Sequence, residues 1–244
     1  MPDKMKSIFL YCAALPIFLT QLPACSKKSS SSPSTIANSC KLTGINEVGG
    51  NFVETCSITY NSDGKVSAIV QSSSGSTLTM TYTYSGNVIM MTTSGYTNGD
   101  VVIDSVVVNS DGLMVSDLER NIFDTSLTTY TYTGTEVASS IFQQDGQTPS
   151  ATTFTFSNGD LTGSGPTDTA TYNDKPSAPG DYFQIIQLFG FAAPYIKNAH
   201  QCTSYTSNGV TANYKYAYDS TGKITQLVFS GSQTGTINYS YDCN

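Results

Sequence analysis

The sequence has a single histidine, His200, no tryptophan, and few charged residues, which make up 12% of the chain. One histidine excludes a metal site built from several imidazoles, and we expect neither a metal nor another cofactor. No P-loop, G-x-G-x-x-G or calcium-loop motif is present, so the common nucleotide and calcium sites are not predicted. A charged fraction of about half the usual value is more typical of an extracytoplasmic β protein than of a cytosolic enzyme.

The same scarcities argue against catalysis. A Ser-His-Asp triad needs only one histidine, but the sequence contains no G-x-S-x-G elbow, and His200 is expected in a loop. A glycosidase needs paired carboxylates, whereas aspartates such as Asp63 and Asp111 stand in predicted turns, where local backbone hydrogen bonding explains them. We therefore expect no enzymatic activity, with glycosidase and serine hydrolase as minor alternatives. The acidic balance, a formal net charge of −7, offers no face for nucleic acid.

The N-terminus has the pattern of a secretory signal peptide. Lys4 and Lys6 precede the apolar run IFLYCAALPIFL, residues 8–19, which is too short to span a membrane as a helix. The following LPAC, residues 22–25, resembles the bacterial lipobox. That resemblance implies cleavage before Cys25 and attachment of lipid to its sulfur, and ordinary cleavage that leaves Cys25 as a spare thiol is the alternative.

Three segments follow from this interpretation. We predict a signal peptide over residues 1–24, a lipidated and flexible Ser-rich tether over residues 25–39, and a single β domain over residues 40–244. A mature chain of this length is sufficient for one β-rich domain.

The predicted domain repeats one pattern: an alternating strand that ends in an aromatic residue, a short polar turn, and then a glycine and a branched residue. In LTMTYTY, residues 78–84, large apolar side chains alternate with threonine, which is typical of an antiparallel strand with one buried face. We predict an all-β fold, an antiparallel up-and-down meander of about 13–14 strands, because six such hairpins and their flanking strands are present. A sheet of this size must curve strongly or become barrel-like to protect its edges.

One segment interrupts the repeats before the last hairpin. Asp181 stands at an N-cap position after a linker rich in proline and glycine, and the apolar stretch YFQIIQLFG follows. We predict a short helix over residues 182–190 that packs on the concave face of the sheet or plugs one end of it.

Cys12 is removed with the predicted signal peptide, and apart from Cys25 this leaves four cysteines, an even set that favours complete pairing in an oxidising compartment. Because Cys56 lies on the strand after Cys40, we predict a Cys40–Cys56 bridge in the first hairpin. We also predict a Cys202–Cys243 bridge that fixes the last strand, although two other pairings of these four cysteines are possible. With all four paired, Cys25 is left for lipid.

The hairpin YAYDSTGKITQLVF, residues 216–229, resembles the tyrosine–aspartate (YD) repeat. With the lipobox, the other hairpins and the late helix, the chain is similar to a Bacteroidetes lipoprotein family of unknown function. The resemblance implies a porin-like curved β fold and supplies no catalytic residues. It also implies an outer-membrane lipoprotein that faces the periplasm, because family members sent to the cell surface often carry an acidic run where this chain has Ser26-Lys27-Lys28.

For function we expect a monomeric ligand-binding or accessory module of the cell envelope. A hydrophobic or glycan ligand would occupy a lumen whose mouth is lined by Tyr182, Phe189, Tyr195 and His200. The tyrosines on alternating positions are explained as core packing. The alternative is a structural or interaction protein that docks a partner through its sheet surface. A membrane-spanning barrel is disfavoured because the outward rows are mostly threonine and serine.

Overall fold

The computed structural model describes residues 40–49, 52–73, 75–191 and 193–243, and the predicted signal peptide, Cys25 and the tether lie outside them. These residues form 16 antiparallel strands and one short helix. No helix among them has the length and hydropathy to cross a bilayer. In chain order the elements are β1 (Cys40–Gly49), β2 (Phe52–Tyr60), β3 (Val66–Ser73), β4 (Ser76–Ser85), β5 (Val88–Ser94), β6 (Val102–Val108), β7 (Met114–Arg120), β8 (Thr125–Thr133), β9 (Glu136–Gln144), β10 (Ser150–Ser157), β11 (Asp160–Ser164), β12 (Thr169–Pro176), α1 (Tyr182–Phe191), β13 (His200–Ser207), β14 (Val210–Tyr218), β15 (Ile224–Ser230) and β16 (Gly235–Cys243).

The strands form a nearly closed barrel. Apart from β11 and β12, strands that are consecutive in sequence pair with each other, and β16 also pairs with β1, so the order runs from β11 down to β1 and then from β16 down to β12. The predicted all-β meander and its strong curvature are therefore confirmed. The expected number of 13–14 strands is too low, because hairpins such as β7–β8 turn at residues 121–124 without a glycine.

Because every connection reverses the chain, the turns alternate between two ends of the barrel. We call the end that carries Cys40 and Cys243 the disulfide end, and the opposite end the far end. Odd-numbered strands run from the disulfide end towards the far end as far as β11, and even-numbered strands run back.

The disulfide pairing differs from both predicted bridges. Cys40 and Cys243 lie directly opposite each other in the β1–β16 ladder and are bonded. Cys56 instead lies opposite Ile45, and Cys202 lies opposite Tyr172, so neither reaches its predicted partner. Both remain buried thiols. The even-pairing argument for Cys25 therefore loses its basis, and lipidation depends on the lipobox alone.

The inner face of the barrel is the core, as the period-2 alternation predicts. Met80 and Tyr82 of β4 are buried, and the intervening Thr81 is exposed. Full burial of an aliphatic side chain stabilises a fold by about 1.5–3 kcal/mol, and completely or almost completely buried residues occur around the ring. They include Ile69, Val106, Val137, Leu161, Ile224 and Leu227.

A recurrent tyrosine gives the repeated aromatic position a structural role. At the end of an even-numbered strand, the ring packs against the core and the hydroxyl donates a hydrogen bond to a carbonyl at the start of the preceding strand, 18 residues earlier. This satisfies a buried carbonyl at the disulfide end, as expected for a half-buried tyrosine. The pairs are Tyr60 with Leu42, Tyr84 with Val66, and Tyr132 with Met114.

The helix closes the disulfide end from within. Helix α1 begins after Asp181, whose Oδ1 accepts a hydrogen bond from the backbone N–H of Phe183 at 2.9 Å, so the predicted helix and its N-cap are confirmed. Phe183 and Phe189 are buried. The following segment crosses to the opposite wall, where the Pro194 carbonyl accepts a hydrogen bond from the N–H of Met114 at 3.0 Å.

Candidate functional site

The ring of strands is interrupted between β11 and β12, which are consecutive in sequence but share no ladder among the described residues. At the far end the two strands approach closely: a Cβ added to Gly163 would lie 2.7 Å from the Asp168 carbonyl. There the Tyr205 hydroxyl, 2.9 Å from the Asp168 carboxylate, and the Ser164 hydroxyl, also at 2.9 Å, join both sides. We call this interrupted boundary the seam.

Towards the disulfide end the seam widens into an open groove of about 410 Å³. Most of its lining residues are of polar types, and they combine carboxylate, amide, hydroxyl and imidazole groups with one tyrosine. We call it the seam groove. Its principal side chains are those of Asp160, Thr162, Tyr172, Asn173, Asp174 and His200.

Asp160 and His200 form a fixed pair on one side of the groove. The His200 Nδ1 lies 2.7 Å from Asp160 Oδ2, and the backbone N–H of His200 donates to Asp160 Oδ1 at 2.8 Å. The Gly159 carbonyl accepts a hydrogen bond from the N–H of Ala199 at 3.0 Å, which holds the two segments together. Because Nδ1 faces the carboxylate, the orientation of the ring is set and Nε2 is left for another contact.

Tyr172 connects the two edges beneath the groove. Its hydroxyl donates to the Leu161 carbonyl at 2.7 Å, across the seam. Burial, and secondarily the neighbouring Cys202, raises the pKa of Tyr172, so the phenol remains a neutral donor at physiological pH.

The outer wall of the groove is held by β12 and β13. The Asn173 amide lies 3.4 Å from Gln201 Oε1, and the Lys175 ammonium lies 3.5 Å from the centre of the Tyr218 ring. Such contacts fix the side chains before a ligand arrives, whereas Asp174 is exposed to solvent.

The four residues predicted to line a mouth occupy different environments. Tyr182 stacks on Tyr214 with ring centres 4.2 Å apart, and Tyr195 packs on Tyr130 at 5.0 Å. Phe189 is buried in the core, so these three side chains belong to the interior around the helix. His200 alone of the four lines the seam groove.

Sequence reasoning missed the partners of His200. Asp160 directly follows the turn formed by Asn158 and Gly159, where local backbone hydrogen bonding explains an aspartate as it does for Asp63 and Asp111. The pair is 40 residues apart in sequence, and no local spacing indicates the contact.

The far half of the interior contains a second group of ionisable residues. Glu47 and Glu54 lie directly opposite each other on β1 and β2, and both are buried. Burial, reinforced by the Glu54 charge, raises the pKa of Glu47 to about 8. Burial likewise raises the pKa of Asp104 to about 8 and that of Asp117 to about 7. Neither carboxylate oxygen of Glu47 has a hydrogen-bond partner within the described residues.

Metal ligation has no candidate centre in the described part of the chain. No cluster of three or more His, Cys, Asp or Glu side chains there has a geometry that holds a metal ion.

Comparison with known proteins supports the fold and not a family. No protein-family model matches the chain, and no curated protein matches it in sequence. The fold is similar to that of a porin-like protein from Bacteroides uniformis, with a TM-score of 0.57 and 17% identity over 82% of this chain and 98% of that chain. A porin-like protein from Bacteroides vulgatus aligns over 82% of this chain and 98% of that chain at 10% identity, and its TM-score of 0.28 is too low to indicate a shared fold. The predicted porin-like fold is thus confirmed, and the lipoprotein family and the YD repeat remain predictions.

Proposed function

We propose that this chain is a non-catalytic binding module of the cell envelope that holds a polar, hydroxyl-rich ligand, such as a short glycan, in the seam groove. The observation that carries the proposal is the groove itself, about 410 Å³ lined by converging polar groups at the one interruption of the sheet in the described residues. This volume lies within the range of about 300–1,000 Å³ typical of ligand sites.

The lining favours a glycan over the hydrophobic ligand that the sequence left open. Asp174 offers exposed acceptors, and His200 has one ring nitrogen outside its contact with Asp160. Hydroxyl groups of a sugar act as donors and acceptors at once, which matches this mixture.

The proposal includes that the chain does not catalyse hydrolysis in this groove. A hydrolase that used the Asp160–His200 pair would need a nucleophile on the second ring nitrogen of the histidine. Among the described residues, the hydrogen bonds of the His200 ring go to Asp160.

The test is glycan binding by a chain that carries Cys25→Ser, so that no acyl group contributes. Isothermal titration against a panel of envelope-derived oligosaccharides is expected to find a ligand, with affinity reduced at least fivefold by Asp174→Ala or His200→Ala. Asp111→Ala, at an exposed turn outside the groove, is the matched control. Failure of the whole panel to bind, or an equal loss in the control, would reject the site.

The second part of the proposal concerns the location of the protein in the cell envelope. The lipobox supports acylation of Cys25, and Lys27 and Lys28 support the periplasmic face of the outer membrane over the cell surface. Labelled palmitate is expected to enter the protein in cells and to be lost in Cys25→Ser. Labelling that survives this substitution would contradict the anchor.

Docking through the sheet surface, the alternative, finds less support. Outward hydroxyl groups on neighbouring strands bond to one another and so have fewer free groups for a partner. Such pairs are Thr59 with Ser67 at 3.0 Å, Thr131 with Ser139 at 2.7 Å, and Thr206 with Thr211 at 2.8 Å.

A further inference from the structure

The exposed apolar side chains are concentrated at one end of the barrel. Nine large hydrophobic residues are exposed in the described part of the chain, and all nine lie at or beside connections of the far end. Val101, Ile122 and Phe123 lie in connections, and the other six lie on strand residues near the β1–β2, β5–β6, β9–β10 and β13–β14 connections. Scattered exposed apolar residues are ordinary, but their concentration at one end favours an interaction surface there.

The most exposed members are presented by a rigid turn. Ile122 and Phe123 are 64% and 80% exposed at the tip of the β7–β8 connection. The Oδ1 of Asn121 accepts hydrogen bonds from the backbone N–H groups of Phe123 and Asp124, at 2.8 and 3.1 Å. The two apolar side chains are therefore held outward, and little conformational entropy is lost when a partner covers them.

The same end is acidic. Asp100, Asp124 and Asp145 lie on its connections, whereas Glu47 and Glu54 are buried behind them and add no exposed charge. Arg120 is the one basic residue at this end among the described residues. Five of the six described lysines lie at the disulfide end: Lys41, Lys65, Lys175, Lys197 and Lys223.

We propose that the far end docks a cationic, amphipathic segment of a partner protein, with apolar side chains on the rim and basic side chains against its carboxylates. Charge complementarity selects this occupant. An anionic bilayer would be repelled by the carboxylates, and a second copy docked through the same end would bring a second set of negative charges. The far end is separate from the seam groove, so this surface does not depend on the glycan proposal.

The experiment uses the Cys25→Ser chain and two synthetic amphipathic peptides of identical apolar pattern, one with lysine and one with glutamate as the polar residue. Fluorescence anisotropy is expected to show binding of the lysine peptide at least tenfold tighter than that of the glutamate peptide, and weaker binding at higher salt. Ile122→Ser with Phe123→Ser is expected to reduce the affinity at least fivefold.

Matched charge variants locate the surface. Asp100→Asn with Asp145→Asn is expected to weaken binding of the lysine peptide, whereas Asp63→Asn with Asp111→Asn, which removes two exposed charges at the disulfide end, is expected to leave it unchanged. Equal binding of the two peptides, or an equal effect of the two charge variants, would overturn the proposal. Sedimentation with phosphatidylcholine vesicles in the absence of peptide binding would assign the rim to a membrane instead.

Discussion

Glu47 makes the stability of the barrel depend on pH in a direction that can be tested. Its side chain is fully buried, and the pKa rises from the ordinary 4.5 to about 8 because of burial and the opposed Glu54. Between these values the folded chain holds a proton that the unfolded chain has released. The folded state is therefore favoured below pH 4.5, and this contribution is lost as the pH rises through about 8.

The size of the effect follows from the two pKa values. Their difference corresponds to about 5 kcal/mol in total, of which about 4 kcal/mol is lost between pH 5 and pH 9. Glu47→Gln removes the ionisation while it keeps the size and polarity of the side chain. The variant is expected to match the wild type near pH 5 and to be more stable by about 4 kcal/mol at pH 9. Asp104 and Asp117 shift in the same direction, so the variant retains part of the pH dependence.

Urea unfolding at pH 5, 7 and 9 measures this difference, because the free energy of unfolding is obtained at each pH from the midpoint and slope. Glu136→Gln, at the start of β9, removes one charge from the disulfide end and controls for net charge. Parallel pH profiles for Glu47→Gln and the wild type would refute the reasoning, as would a gain in stability that is the same at all three pH values.

Three further changes test the packing by urea unfolding. Loss of the bridge in Cys40→Ser with Cys243→Ser, across 203 residues, is expected to cost about 5 kcal/mol in the chain-entropy model, and a non-reducing peptide map that lacks this link would contradict the pairing. Tyr132→Phe, which leaves a carbonyl of β7 without its donor, is expected to cost about 1–2 kcal/mol, and an unchanged midpoint would refute this. Gly95→Ala places a Cβ 2.1 Å from a β4 carbonyl at φ +99 and is expected to lower the free energy of unfolding by more than about 3 kcal/mol. Gly86→Ala, in open space at φ +60, is expected to lower it by only about 1 kcal/mol. Equal losses of stability in the two variants would refute the clash.

Local patterns predicted the parts of the fold that depend on neighbouring residues. The alternation around Met80 and Tyr82 identifies the buried face because successive side chains of a strand point to opposite sides. Asp181 marks the start of α1 because an N-cap needs only the next few residues.

Contacts between distant residues could not be predicted in the same way. The opposition of Cys40 and Cys243 depends on closure of the ring, and the same cysteine count permits other pairings. The contact of Asp160 with His200 arises where two edges meet at the seam. Exposed residues such as Phe123 carry the same hydrophobic signal as core residues, and only the position of the turn in three dimensions separates them.

The seam and the ladder between the first and last described strands lie at different places on the ring, which has a topological consequence. The first and last strands are joined by a ladder and a covalent bridge, with 4.0 Å between their terminal Cα atoms, whereas the continuous connection at residues 165–168 joins two unpaired edges. The sheet therefore has its edges in the middle of the sequence. A circular permutant that links residue 243 to residue 40 and opens the chain within residues 165–168 would keep every strand ladder, and would turn the barrel into a meander whose order along the chain matches its order in space.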